Sequence, residues 1–285
     1  MAQDHGLFGP DSVTWRLHLD PILIVGGFCA LHIQALHPPS MWGTYQNSRL
    51  IDPAQSYARL QRTADFVFVR TFGSTDEVER VGRRVRKLHA RLRGQNPATG
   101  ETFPVDDPEN LCWVHCGEVL GYLAVARRAG LGLTAAQEDQ FVDEQRRAAA
   151  VVGLDPATVP GSVAELDDYI TGMLPKLRVT KEVLLGLGAV ARMSTGLREI
   201  PVKAGFAAYS VLGFGLLPGW ARRIYRLPGW ESPLLDAPTT AAVRALRLTL
   251  LATPPALRGE TPEQRKQLGR ARELVRAGRT ARAAA

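Results

Sequence analysis

The sequence predicts an all-α protein, a single multi-helix domain with a globular composition. Three observations carry this. Helix start and stop signals recur along the whole chain, and apolar residues repeat at three- and four-residue spacing in one segment after another. No alternating run of β-branched residues bounded by tight turns occurs. The chain has 285 residues, of which 45% are hydrophobic and 22% charged, enough to bury one large core. No Pro/Ser/Gly linker long enough to separate a pair of domains interrupts it, so residues 1–285 are read as one helical domain.

Taken in order, Asp11 or Ser12 opens a short helix through Trp15 and Leu17, and Asp20-Pro21 opens the next. The interior of that second helix, Ile22 to Leu36, is apolar almost all round, which places it at the centre of a domain. Gly26 and Gly27 each cost a helix about 1 kcal/mol against alanine. Something bulky is therefore expected close to the backbone there, either another helix or a flat ligand. His37-Pro38-Pro39 ends the helix. A short element spans Met41 to Asn47, and Asp52-Pro53 starts a longer helix that Gly73 ends, with Tyr57, Leu60, Phe68 and Phe72 on its apolar side.

Ser74 followed by Glu77 is a capping box. The helix it opens carries Val78, Val81, Val85, Leu88 and Leu92 as one stripe, with Gly94 as its stop. Arg86, His89 and Arg93 lie in a row along the edge of that stripe. Residues Gln95 to Val105 read as a loop long enough to cover a pocket mouth. Asp107 caps, and Pro108 begins, a helix that runs to Gly130. Thr134 with Gln137 caps a helix reaching Val152, and Ser162 caps another that Pro175 ends. Helices follow over Thr180–Thr195, Ile200–Leu217, Pro238–Leu251 and Pro262–Ala277, with a short basic-aromatic segment at Pro218–Pro228. The last helix is very basic and apolar only through Leu268 and Leu274, so it is expected to be solvated.

The formal net charge is +7. The basic residues are spread along helices, and neither zinc-finger spacing nor an RNA-binding aromatic signature occurs, which argues against nucleic acid as a partner. Three cysteines, Cys29, Cys112 and Cys116, cannot make a disulfide framework, and the N-terminus shows no basic region followed by an apolar run. A reducing cytoplasmic setting is expected. The apolar runs at 21–38 and 204–218 fall short of the roughly 20 residues that a spanning helix needs. The second run, beside the basic-aromatic segment, leaves room for peripheral contact with a membrane surface. No nucleophile elbow, P-loop or dinucleotide fingerprint is found.

The helix from Asp107 holds the chemistry. Leu111, Cys112, His115, Val119 and Tyr122 share one face, with a histidine in the middle of an apolar surface. His115 fits two readings, a ligand to a metal or cofactor and a core histidine with ordinary hydrogen bonds. Cys112, His115 and Cys116 could be three metal ligands, but a structural zinc site wants four, and no second pair of cysteines is present. The order Cys-x-x-His-Cys also differs from the covalent haem signature. Non-covalent haem does fit the inventory of residues. One neutral imidazole can hold the iron, apolar helices can form the slot, and arginines at its edge can pair with propionates. Cys112 and Cys116 are then small packing residues that let the cofactor lie close.

A set of motifs occurs in order: Gly9-Pro-Asp-Ser-x-x-Trp15, Ala35-Leu-His-Pro38, Arg62-Thr63 followed by Phe72-Gly73, Leu88-His-Ala-Arg-Leu-Arg-Gly94, and Asp107-Pro-x-x-Leu-x-Trp-Val-His115. Together they resemble the rubber oxygenase (latex clearing protein)/MpaB-like catalytic domain family over residues 9–225, leaving 226–285 as C-terminal helices and a basic tail. The resemblance implies a globin-like helical core that holds haem b, with His115 as proximal iron ligand. It implies O₂-dependent oxidation of an apolar, isoprenoid-type small molecule. It also implies polar residues on the preceding helix facing the distal side, for which Arg84, Lys87 and His89 are the catalytic candidates. Arg86 and Arg93 are the candidates for cofactor binding beside His115.

Overall fold

A computed structural model describes residues 4–48, 53–191 and 200–284. Thirteen α-helices, four short 3₁₀ turns and one small hairpin make up the regular structure among them. The helices are α1 (Val13–His18), α2 (Leu23–Gln34), α3 (Pro38–Asn47), α4 (Pro53–Phe72), α5 (Thr75–His89), α6 (Pro108–Ala129), α7 (Ala135–Val152), α8 (Val163–Met173), α9 (Lys181–Ala191), α10 (Ile200–Gly215), α11 (Gly219–Tyr225), α12 (Asp236–Ala252) and α13 (Pro262–Ala284). The expected start at Asp52 and the end at Thr195 lie outside the described residues. No helix among the described residues is long and apolar enough to cross a membrane.

The centre of the molecule is the pair α2 and α6, packed backbone to backbone. A Cβ added at Gly121 would sit 2.6 Å from the Gly26 carbonyl oxygen and 2.7 Å from the Ala30 nitrogen; one added at Gly26 would sit 2.6 Å from a Val125 methyl. Of the two approaches expected at Gly26, the neighbouring helix is the one that occurs. Gly27 meets nothing within 4 Å. Around this pair Trp113, Leu123, Phe141, Leu166 and Leu217 are fully enclosed, each contributing about 1.5–3 kcal/mol by burial.

The local signals hold at most helix starts. Ser74 with Glu77 and Thr134 with Gln137 form reciprocal capping boxes. Asp107 accepts from the Glu109 and Asn110 amides, and Gly130 closes α6 in the left-handed conformation. The α1 start draws on a distant residue as well: the buried Glu144 carboxylate of α7 accepts from the Val13 and Thr14 amides and from the Thr14 hydroxyl.

Two expectations are corrected. The stripe helix α5 ends at His89 rather than at Gly94, and the chain turns into a hairpin, β1 (Arg93–Gln95) with β2 (Thr102–Pro104). Gly94 pairs with Phe103, whose ring lies so close that an added Cβ would be 2.3 Å away. Glycine there makes room for an aromatic ring and does not stop a helix. The second correction is α13, which is not solvated along its length. Leu268, Ala271 and Leu274 close over Trp15 and Phe72 as a second cluster, and Gln264 donates to Asp65 of α4.

The apolar 204–218 run and the segment after it are largely folded inward. Phe214, Leu216, Leu217, Ala221 and Tyr225 are buried, and buried Arg222 pairs with Asp236 at 2.9 Å.

Candidate functional site

Helix α6 presents two faces. Gly117 and Gly121 press against α2. His115, Glu118 and Tyr122, spaced by three and four residues, share the side that meets α1 and α4. Backbone packing is close between α4 and α5, whereas α6 makes its closest approaches to α2 and α12. The link between α4 and α6 runs through side chains, Arg70 to Glu118.

His115 is buried, and its ring makes no hydrogen bond among the described residues. Burial pushes its pKa down to about 4; the Glu118 carboxylate opposes this and the Arg70 guanidinium adds to it. At neutral pH the ring is uncharged and has a free lone pair. Arg70, buried on α4, grips Glu118 through two bonds of 2.7 and 3.1 Å. Burial alone would raise the Glu118 pKa, but Arg70 outweighs it and keeps the carboxyl ionised.

The polar group extends to α1. His18 is buried, and its Nδ1 lies 2.9 Å from the Thr14 carbonyl. Only an N–H can bond there, so Nε2 is left as an acceptor. That atom is buried without a partner among the described residues, as are Nε of Arg70 and Oγ1 of Thr71. The His18 ring stands edge-on to Tyr122 with centroids 4.9 Å apart. Burial lowers the His18 pKa to about 4, helped by Arg70. Buried polar atoms without partners are uncommon, and here several lie together.

A second polar group forms near the end of α5. His89 is part-buried, and its Nδ1 is enclosed without a partner among the described residues. Burial lowers its pKa; Arg59 of α4 adds to the effect, and Asp106, just ahead of α6, works against it. Arg59 is bonded to Thr63. The remaining α5 candidates lie apart. Arg84 and Lys87 are exposed. Arg86 turns to α7 and donates to the Val151 carbonyl at 2.7 Å. Arg93 has left the helix and donates to the Ala90 and Leu92 carbonyls. The expected row of Arg86, His89 and Arg93 is thus broken up.

Cys112 and Cys116 lie with their sulfurs 3.9 Å apart beside Tyr169, while the charges that act on His115 are Arg70 and Glu118. Among the described residues no three His, Cys, Asp or Glu side chains cluster as a metal site.

The family model for the catalytic domain of the ER-bound oxygenase mpaB/B'/rubber oxygenase matches residues 15–282. The chain belongs to this family. No curated protein and no solved structure matches it. The match to the mpaB/rubber oxygenase domain runs past residue 225 through α12 and α13, in keeping with the packing of α13 on α4. Membership carries an oxygenase function in general terms, with O₂ and an organic substrate.

Reasoning from sequence passed over Arg70, Glu118 and His18. Each had a signal. Arg70 is a charge among Phe66, Phe68, Val69 and Phe72, and Glu118 follows His115 by one turn on the same face. His18 follows Trp15 by three residues, so it points inward with it.

Proposed function

We propose that this member of the mpaB/rubber oxygenase family is a haem b-dependent oxygenase acting with O₂ on an apolar, isoprenoid-type small molecule, with His115 as the proximal iron ligand. One observation carries the reading: a buried, neutral imidazole that bonds to no other described residue, one turn along α6 from a buried ion pair. A single neutral imidazole of this kind suits iron.

The residues fit the cofactor. Bound haem would supply O₂ binding and electron transfer at iron. The protein would supply the imidazole at His115, a fixed dipole at Arg70–Glu118, and half-buried apolar side chains of α4 such as Phe66, whose ring lies under the Arg70 guanidinium. Arg59, largely desolvated and bonded to a hydroxyl, is better suited than Arg86 or Arg93 to meet a propionate. Of the α5 candidates, His89 is favoured over Arg84 and Lys87, since it alone is part-buried with an unpartnered ring nitrogen.

The absorption spectrum of the purified protein tests this. A Soret band is expected, lost or shifted in His115→Ala. A protein that stays colourless after haem addition sinks the reading, as does a His115→Ala variant whose haem spectrum is unchanged.

A further inference from the structure

Cys112 and Cys116 stand on consecutive turns of α6, both free, with their sulfurs 3.9 Å apart. Cys116 is buried at 1% exposure. Cys112 is half-buried at the seam between the main core and a small cluster of Ala149, Leu154 and Val159. Helix neighbours four apart keep their Cβ atoms about 5–6 Å from each other. A disulfide wants about 3.5–4.5 Å. An intact α6 therefore opposes a disulfide between the two cysteines. A bridging ion meets no such obstacle: two metal–thiolate bonds of about 2.3 Å reach sulfurs up to about 4.6 Å apart. Two-coordinate copper(I) takes a near-linear unit, and opening the sulfurs from 3.9 Å to about 4.6 Å needs only side-chain rotation, with the backbone unmoved.

We propose that Cys112 and Cys116 form a two-thiolate site for a soft monovalent cation, copper(I). Thiolates select soft ions. Zinc wants four ligands, and among the described residues no third His, Cys, Asp or Glu joins the pair. Copper(I) is stable with two sulfurs. Binding breaks two S–H bonds and forms two Cu–S bonds. Two protons leave to solvent, copper stays in its +1 state, and no electron moves. The bound unit carries one negative charge. The Tyr169 hydroxyl, enclosed beside Cys112 without a hydrogen bond of good geometry, is placed to donate to a thiolate. The site does not use His115 and does not depend on haem.

The test is an anaerobic titration of the purified full-length protein with copper(I) held by bicinchoninate. The protein is expected to withdraw one equivalent. Cys112→Ala and Cys116→Ala should each weaken binding by roughly a hundredfold, while Cys29→Ala and His115→Ala leave it unchanged. If Cys116→Ala, which empties a buried position, fails to fold by circular dichroism, the half-buried Cys112→Ala decides alone. The proposal is overturned if no copper is withdrawn, if Cys112→Ala binds as tightly as the parent protein, or if His115→Ala abolishes binding.

Discussion

Arg70 and Glu118 bind each other through two parallel hydrogen bonds, from neighbouring helices, one turn along α6 from His115. Both are shielded from solvent, with side-chain exposures of 4% and 17%. Removing one partner strands the other charge in a dry place. Arg70→Met or Glu118→Leu alone is expected to cost about 3–5 kcal/mol, and the double substitution less than the sum of the two. Urea unfolding of the four proteins in a double-mutant cycle measures it; additive losses would refute the pairing.

Acid should unfold this protein by way of its histidines. His18, His32 and His115 are held near pKa 4 in the fold, chiefly by burial, against about 6.5 in an unfolded chain. The unfolded state thus binds more protons between those values, so stability falls as pH drops from about 6.5 towards 4 and is flat above 7 in these groups. Each histidine contributes a slope of up to about 1.4 kcal/mol per pH unit. Urea midpoints from pH 8 to pH 4 check this, and His32→Gln should flatten the curve in part.

Two glycines in one α2 turn should behave in opposite ways. Gly26→Ala pushes a methyl into Val125 and the Gly121 carbonyl and is expected to destabilise by about 1–3 kcal/mol. Gly27→Ala meets open space and should stabilise by up to about 1 kcal/mol. Thermal unfolding of the two variants compares them directly.

How far the fold was legible follows from the range over which each signal acts. Caps at Ser74, Asp107 and Thr134 depend on three or four successive residues, and they stand where the sequence puts them. The end of α5 does not depend on local pattern: Leu92 and Arg93 continue the helical period, yet pairing with β2 and the approach of Phe103 draw the chain out of it. The site follows the same rule. His115 stood out because its polarity contrasts with its own helix face. Arg70 acquires its meaning only from Glu118, which is 48 positions away, and His18 only from Tyr122, far along the chain on α6. Periodicity along one helix says nothing of such partners.

The last helix supplies another check. Leu268 of α13 is buried against the Trp15–Phe72 pair, whose rings meet edge to face at 5.4 Å. Leu268→Ala should cost about 2–5 kcal/mol. It should also leave Trp15 in a wetter setting, read as a red shift in fluorescence against a Trp15→Phe control. A neutral result would mean that α13 is dispensable to this cluster.

The glycine contact between α2 and α6 has a mechanical consequence. Where backbone rests on backbone there are no rotamers to adjust, so the seam is stiff and α6 can neither slide nor roll without breaking it. The height and bearing of His115 are therefore set by the main chain. The opposite wall, α4, meets that side of α6 through side chains such as Arg70, and side chains can re-pack where backbone cannot. A guest seated on the imidazole would be accommodated by those side chains, while α6 stays still.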